Sequence, residues 1–387
     1  MLRFINKLKL KKVNKSISIS TFFSKSNDNK DKEEHFKSFK SAMEELSQGV
    51  WIPTWNANDE SIASWKDIPL KELSDEKLLV LAKAYSKAAE TKTSESKEEE
   101  QQQEERVVMY DPKRAFEIYQ LCHDHGNIQG MYATAICYLE GKGIKKDVMK
   151  AYEILHKILD KSKFAPAEYT LSTIYKNGII IDSNTLVNID HETSFKLALS
   201  ACENGHPLAS LSVANAYWEG KGTSKNQELA LEFYKKAAKS GVVDAMLILG
   251  NIYMEGLVGT NKESGYKQKG LDWYHDAADQ QDPRGYFNLA LHHLSRTFIP
   301  VNNEQDTNQN ENKKKEITVR IDEENFRKTE EYLKLSAAKG YIPAISNLGN
   351  LYRDIGNLEL ACQIYSLSRD KTNAILLEKT KLMMKSS

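Results

Sequence analysis

The sequence has no uninterrupted run of 18 apolar residues, which excludes a membrane-spanning helix. It has no net charge: 54 Lys and Arg offset 54 Asp and Glu, which argues against a protein that holds nucleic acid by bulk electrostatics. HExxH and CxxC, the spacings that hold zinc, do not occur. Neither does the GxSxG elbow that presents a catalytic serine. No metal or cofactor is expected. The length of 387 residues leaves room for two or three ordinary domains or for one long repeat array.

Acidic residues are missing altogether from residues 1–27. That stretch instead carries Arg3, Lys7, Lys9, Lys11, Lys12, Lys15 and Lys25, with Leu2, Phe4, Ile5 and Leu8 interleaved and Ser16, Ser18, Ser20 and Ser24 following. A basic, serine-rich, potentially amphipathic and acid-free start is the composition of a mitochondrial transit peptide, and a protein of the mitochondrial matrix is the expectation. The same composition leaves open a basic tail or a helix lying on a membrane surface.

The body of the chain repeats itself. In the clearest unit a small residue is followed four later by an aliphatic, five later by a small residue, eight later by Tyr and eleven later by Gly. Ala209, Val213, Ala214, Tyr217 and Gly220 fit, as do Ala245, Leu249, Gly250, Tyr253 and Gly256. Further copies open at Gly130, Ala167, Gly285 and Ala344, the Gly285 copy with His293 in the Tyr place. Leu81, Ala82 and Tyr85 look like a degenerate earlier one. Each unit continues into a second pattern, set by Ala230, Tyr234, Ala237, Ala238 and Gly241. Apolar positions three and four apart are helical spacing, so every unit reads as two helices. From Ala209 to Ala245 the period is 36 residues. Two helices at this period predict an all-α fold, an α-solenoid of about six to seven antiparallel helix pairs.

YWEGKG at 217–222, YLEGKG at 138–143 and YKKAAKSG at 234–241 make the chain similar to the Sel-1-like repeat family, relatives of the tetratricopeptide repeat. The resemblance covers roughly 75–372, strongly in four units. It implies a superhelix acting as an adaptor or assembly factor. Some disulfide-type relatives, linked to hydrolase activity, place one Cys at the second position of the AA pair and another eight residues later. This chain departs from that frame: Cys202 stands at the first place and Ser210 at the second. Cys122, Cys137, Cys202 and Cys362 therefore read as small buried hydrophobes in a reducing compartment, with an approach of Cys122 to Cys137 left open.

The expected organisation follows. Residues 1–27 are the transit peptide and 28–74 a cap carrying Trp51, Trp55 and Trp65. Residues 75–372 form the solenoid, interrupted by polar insertions at 94–106 and 301–316 that read as disordered. A shorter loop is expected at 181–191, and residues 373–387 read as a closing helix whose Leu376, Leu377 and Met383 cover the last pair. GKGTSK at 220–225 lacks the spacing of a phosphate loop and repeats the turn at 141–143. His123 with His125, and the adjacent His292 and His293, have the wrong spacing for one helix face and read as surface or interhelical histidines.

By the resemblance, the first helix of each pair lines the concave face, with positions two, six and nine after the opening small residue exposed there. The sixth holds Asn215, Asn251 and Asn350, whose amides suit the backbone of an extended peptide. The ninth holds Trp218, Met254 and Arg353, and the second holds Tyr132, Tyr169 and Phe287. Aromatics beside a few polar groups make a protein-binding groove. Packing between helices is the other use for these side chains. The expectation is a non-enzymatic adaptor or assembly factor with a protein partner in the concave groove. The resemblance adds respiratory-chain assembly, notably of cytochrome c oxidase, with peripheral association with the inner membrane. A cytosolic or membrane-associated signalling scaffold with a basic tail is the alternative reading; an enzyme is a further one.

Overall fold

Runs of alternating small and aliphatic residues do become helices, and what starts them is readable in the sequence. The computed structural model describes residues 68–87, 110–181, 184–262, 264–301, 318–368 and 370–386. The basic segment 1–27, most of the 28–74 segment, the insertion 94–106 and residues 302–316 lie outside the described residues. Fifteen α-helices stand among those described, in two units, 68–264 and 265–386.

The first unit holds α1 (Asp75–Lys87), α2 (Pro112–Asp124), α3 (Ile128–Glu140), α4 (Val148–Lys161), α5 (Ala165–Asn177), α6 (His191–Glu203), α7 (Pro207–Glu219), α8 (Gln227–Lys239) and α9 (Val243–Glu255). The second holds α10 (Tyr266–Asp279), α11 (Pro283–Thr297), α12 (Glu323–Ala338), α13 (Ile342–Asp354), α14 (Leu358–Ser366) and α15 (Lys371–Ser386). Within each unit every helix packs against the next in the chain, the antiparallel succession of an α-solenoid.

Six of the seven second helices described begin on side-chain caps, and α10 follows Gly265 without one. Asp111, Asp147, Asp190, Asn226, Asp322 and Asn357 each accept a backbone N–H from inside the first turn. Four of the first helices, α3, α5, α7 and α9, end on glycine, whereas α11 ends on Phe298 and α13 on Ile355. Gly220, at φ 74°, closes α7 in the left-handed conformation that a glycine adopts without strain. Gly222 has a different duty. A Cβ there would lie 1.9 Å from the carbonyl oxygen of His191, so this turn rests against the start of the preceding second helix. Gly143 meets Pro112 in the same way. The Gly-x-Gly pair is a repeat turn.

The template's small and aliphatic positions are the core. Ala209, Val213 and Ala214 are fully buried, as are Ala245 and Leu249. Burying each Leu or Val contributes roughly 1.5–3 kcal/mol. The Tyr of the first helix fills space between pairs: the Tyr217 ring lies 5.2 Å from Phe195 of the previous pair and 5.8 Å from Phe233 of its own. Cys122, Cys137 and Cys202 are buried, Cys362 is partly so, and all four are free thiols. The Cys202 sulfur sits 3.1 Å from the Ser210 hydroxyl.

Two expectations need correction. The 181–191 segment is not a plain loop, because Ile179–Ile181 (β1) pairs antiparallel with Asn184–Val187 (β2). Three consecutive β-branched isoleucines favour strand over helix there. A second ribbon, Phe298–Val301 (β3) against Thr318–Ile321 (β4), brackets the longer insertion with Val301 opposite Thr318. The helical frame gains two ribbons. At the chain's end Leu376 and Leu377 pack on the core of the second unit, but Met383 is 47% exposed. The face of α15 turned inward carries the buried Asn373 and Thr380, and Met383 lies a turn beyond it on the flank.

One buried acid ties two helices together. Glu168 of α5 is 4% exposed and accepts from the Ser200 hydroxyl at 2.7 Å and the Asn204 amide at 3.0 Å, both on or just after α6. Truncation orphans both donors. We expect Glu168→Ala to cost about 2 kcal/mol, read as a lowered urea midpoint with an unchanged slope.

Candidate functional site

Consecutive first helices leave clefts between them, floored by the second helix that separates them in sequence. One such cleft, of about 160 Å³, opens between α5 and α7 over the N-terminal half of α6. Tyr169, Thr173 and Lys176 line it from α5, and Ser212, Asn215 and Glu219 from α7. His191, Ser194 and Phe195 of α6 form its floor. Lys221, from the turn after α7, completes the rim. Tyr169 and Asn215 are thus brought to one place.

Their chemistry is more constrained than the sequence reveals. The Asn215 carbonyl accepts the Tyr234 hydroxyl of α8 at 2.7 Å. In the second unit the Asn350 carbonyl accepts the Tyr365 hydroxyl of α14 at 2.8 Å. Burial pushes the Tyr234 and Tyr365 phenols up to about 12, so both remain protonated donors. Each bond fixes the amide and leaves its nitrogen as the outward group. Asn251 is exposed on α9.

The remaining expected groove residues divide. Trp218 packs 6.2 Å from Tyr234, beside the same asparagine, and Met254 is half-buried. Tyr132 bonds Thr170 across consecutive first helices at 3.2 Å and packs edge-on against Phe164. Tyr169 stacks on His206 at 4.4 Å. In the second unit Phe287 meets Tyr341 edge-on, and Arg353 is paired with Asp354 at 2.9 Å. Most of the aromatics therefore also serve packing between helices.

Groups that sequence reasoning passed over complete the cleft. Thr173 and Lys176 occupy the sixth and ninth positions of the unit opened by Ala167, so the template itself marks them. His191 comes from a second helix, and only the fold brings it near. Glu219 is held by Lys221 at 2.6 Å. That bond, with the nearby charges of Lys221, Lys176 and His191, keeps its carboxyl below the ordinary range.

Two of the histidines bridge neighbouring helices. His125 pairs with Asp75 at 2.7 Å, and His293 bonds Asn325 at 2.9 Å while stacking on Tyr332. Among the described residues no group of three or more His, Cys, Asp or Glu is placed to hold a metal ion. Burial first, then the neighbouring Arg296, His293 and Lys267, hold His292 down at about 4, from an ordinary 6.5. Below pH 6.5 the unfolded chain takes up a proton there that the fold declines until near pH 4. Stability therefore falls as pH drops through that window. We expect His292→Gln to flatten this part of the thermal-midpoint profile.

The turn geometry and the paired helices meet in a family model. It is the Sel1 repeat, and it matches residues 128–162, 165–206, 207–242 and 243–282. Four successive segments of the chain match this repeat. The cleft lies where the second of them meets the third. Among curated proteins, chitin synthase regulatory factor 3 of Schizosaccharomyces pombe is 27% identical over 202 residues, 50% of this chain but 21% of that protein. An exopolysaccharide production negative regulator of Rhizobium leguminosarum is 26% identical over 182 residues, covering 44% of this chain and 64% of that one. The chain thus spans under two thirds of the length of either relative. Among solved structures, a protective antigen of uropathogenic Escherichia coli with an SLR fold superposes with a TM-score of 0.52. It is 19% identical, covering 85% of this chain and 65% of the antigen, a likeness of fold. Among the described residues no helix is long and apolar enough to cross a membrane.

Proposed function

We propose that this chain is a non-enzymatic adaptor or assembly factor that binds a protein partner along the first helices of its Sel1 repeats. The observation that carries this reading is the cleft between α5 and α7, where exposed polar groups and Tyr169 converge on side chains held rigidly from behind. Rigid donors on packed helices suit recognition, because little side-chain entropy is lost on binding. Support also comes from the relatives, two of which are named as regulators of other activities, chitin synthase and exopolysaccharide production. A photo-crosslinking residue placed at Trp218 or Met254 of the full chain tests the groove. Adducts should form there and not at exposed Glu232 of α8. Equal labelling at all three positions would remove the assignment of the groove.

The site of action in this proposal is the mitochondrial matrix, with a role in respiratory-chain assembly, notably of cytochrome c oxidase, and peripheral contact with the inner membrane. The support is the basic, acid-free composition of residues 1–27. Import of the full chain into isolated mitochondria, followed by N-terminal sequencing, decides it. Cleavage within about the first 30 residues and protection from protease are expected. The names of the fission yeast and rhizobial relatives favour a second reading, a regulatory scaffold of polysaccharide synthesis whose basic segment touches lipid. An unprocessed, unimported chain that binds anionic vesicles would replace the first reading with this one.

A further inference from the structure

The cleft between α5 and α7 has a chemical bias that its helices alone do not explain. Asparagine is ordinarily ambivalent, offering a donor and an acceptor. Asn215 is biased toward donation, because its carbonyl already accepts the Tyr234 hydroxyl at 2.7 Å while its amide N–H groups carry no such bond in the cleft that it lines. The tyrosine cannot reverse that bond by losing its proton, since burial holds its phenol at about 12. Lys176 adds a cationic donor from the opposite wall, and the Asn177 side chain lies beside it.

One full negative charge lines the cleft, and it is already satisfied. Glu219 accepts Lys221 at 2.6 Å. A cationic group entering here would have to displace Lys221 and tolerate Lys176. An acceptor meets oriented donors instead. The cleft, at about 160 Å³, is also open enough for one side chain of a passing chain and too small for a folded element.

We infer that this cleft is the receptor for an acidic side chain, Asp or Glu, carried on an extended segment of the partner protein. The carboxylate accepts from the Asn215 amide and from Lys176. This specificity rests on the reading that a partner lies along the first helices, and it names what that partner must carry at the second-to-third repeat junction.

The decisive variant is Asn215→Asp. It keeps an oxygen for the Tyr234 hydroxyl, so the fold is preserved, but exchanges the donor facing the cleft for a negative acceptor. Lys176→Glu reverses the opposite wall on an exposed side chain. The probe is a displayed library of short random peptides selected against the full chain and against each variant, with melting curves confirming that all remain folded. Recovered peptides should carry Asp or Glu at one recurring position. Replacing that residue by Asn or Gln in a synthetic, fluorescently labelled peptide should weaken binding about tenfold or more, as loss of a charge-assisted hydrogen bond does. Both variants should lose the acid preference.

Three outcomes are distinguishable. Acid-bearing peptides that fail on Asn215→Asp and Lys176→Glu establish the receptor. Peptides recovered without acid preference, or bound equally by the folded variants, overturn it while leaving the groove as a binding site. Recovery of no peptide by the folded wild-type chain overturns the groove reading itself, and this inference with it.

Discussion

Gly130→Val should lower the stability of the first unit by about 3 kcal/mol, the upper end of what overpacking a core costs. Gly130 is buried in the first turn of α3, at the position where the repeat opens on a small residue. A Cβ built there would stand 2.4 Å from the Cβ of Cys122, 2.9 Å from its carbonyl carbon and 3.0 Å from the His123 nitrogen. Two of those three atoms are backbone of α2, which cannot rotate away. The helices must separate, and the contacts of Ile118 and Ala135, both fully buried, are disturbed with them. The gain in helix propensity from removing a glycine recovers well under 1 kcal/mol. At roughly 2–4 °C per kcal/mol for units of this size, the thermal midpoint should fall by about 6–12 °C. Gly349 provides the contrast. The three atoms nearest its Cβ would all belong to the Tyr365 ring, at 2.3 to 2.8 Å. Gly349→Ala should therefore be relieved in part by Tyr365→Leu, whereas Cys122→Gly should not rescue Gly130→Val. A melting midpoint for Gly130→Val within a degree of wild type would mean that α2 and α3 do not approach this closely.

Ser210→Cys should cross-link α6 to α7 without any other change. The Cys202 sulfur and Ser210 oxygen are 3.1 Å apart in sequence positions eight residues apart, and a disulfide needs its sulfurs at about 2.05 Å. Only a small adjustment separates the two geometries. Closing so short a loop should stabilise the oxidised variant by about 2–3 kcal/mol relative to its reduced form. The measurement is a pair of thermal melts with and without dithiothreitol, with thiol counting to show that two of five thiols disappear on oxidation. The cross-link displaces a bond as well: the Lys236 ammonium donates to the Cys202 sulfur at 3.2 Å. Ser210→Cys combined with Cys202→Ser should show no redox dependence. A single variant that stays reduced in air and under mild oxidant would mean that the two side chains do not share the rotamers described.

Much of this frame is legible in the residues because burial and spacing are the same fact. Ala209, Val213 and Ala214 recur four and five residues apart, and those intervals put them on the one face that two neighbouring helices cover. The Gly-x-Gly turn reads correctly as a turn, but not its second glycine's reason, which lies in the carbonyl of His191, far away in sequence. The asparagine column shows the same boundary. Positions of Asn215 and Asn350 follow from the repeat, whereas their fixed polarity comes from Tyr234 and Tyr365 on the following helix. A one-residue shift of helix phase would undo it, and no periodicity encodes phase so finely. Lys176 occupies a template position, but a lysine on an exposed helix face carries in its sequence no sign of the cleft that it lines. His191 opens the second helix α6 and meets the cleft only through the fold, while the ribbon of Ile179–Val187 lies in an insertion that has no repeat to be read against.

The glycine that leans on the preceding repeat has a bearing on how such a chain can change over time. Because Gly222 fits the start of α6 and Gly143 the start of α2, each of these two units carries half of a lock whose other half belongs to its predecessor. A duplication copied from turn to turn carries both halves and joins its neighbours at once. One that begins within a second helix would pair a glycine with the wrong terminus. Growth and loss of units are thereby channelled to a few breakpoints, and arrays built this way lengthen by whole words rather than by letters.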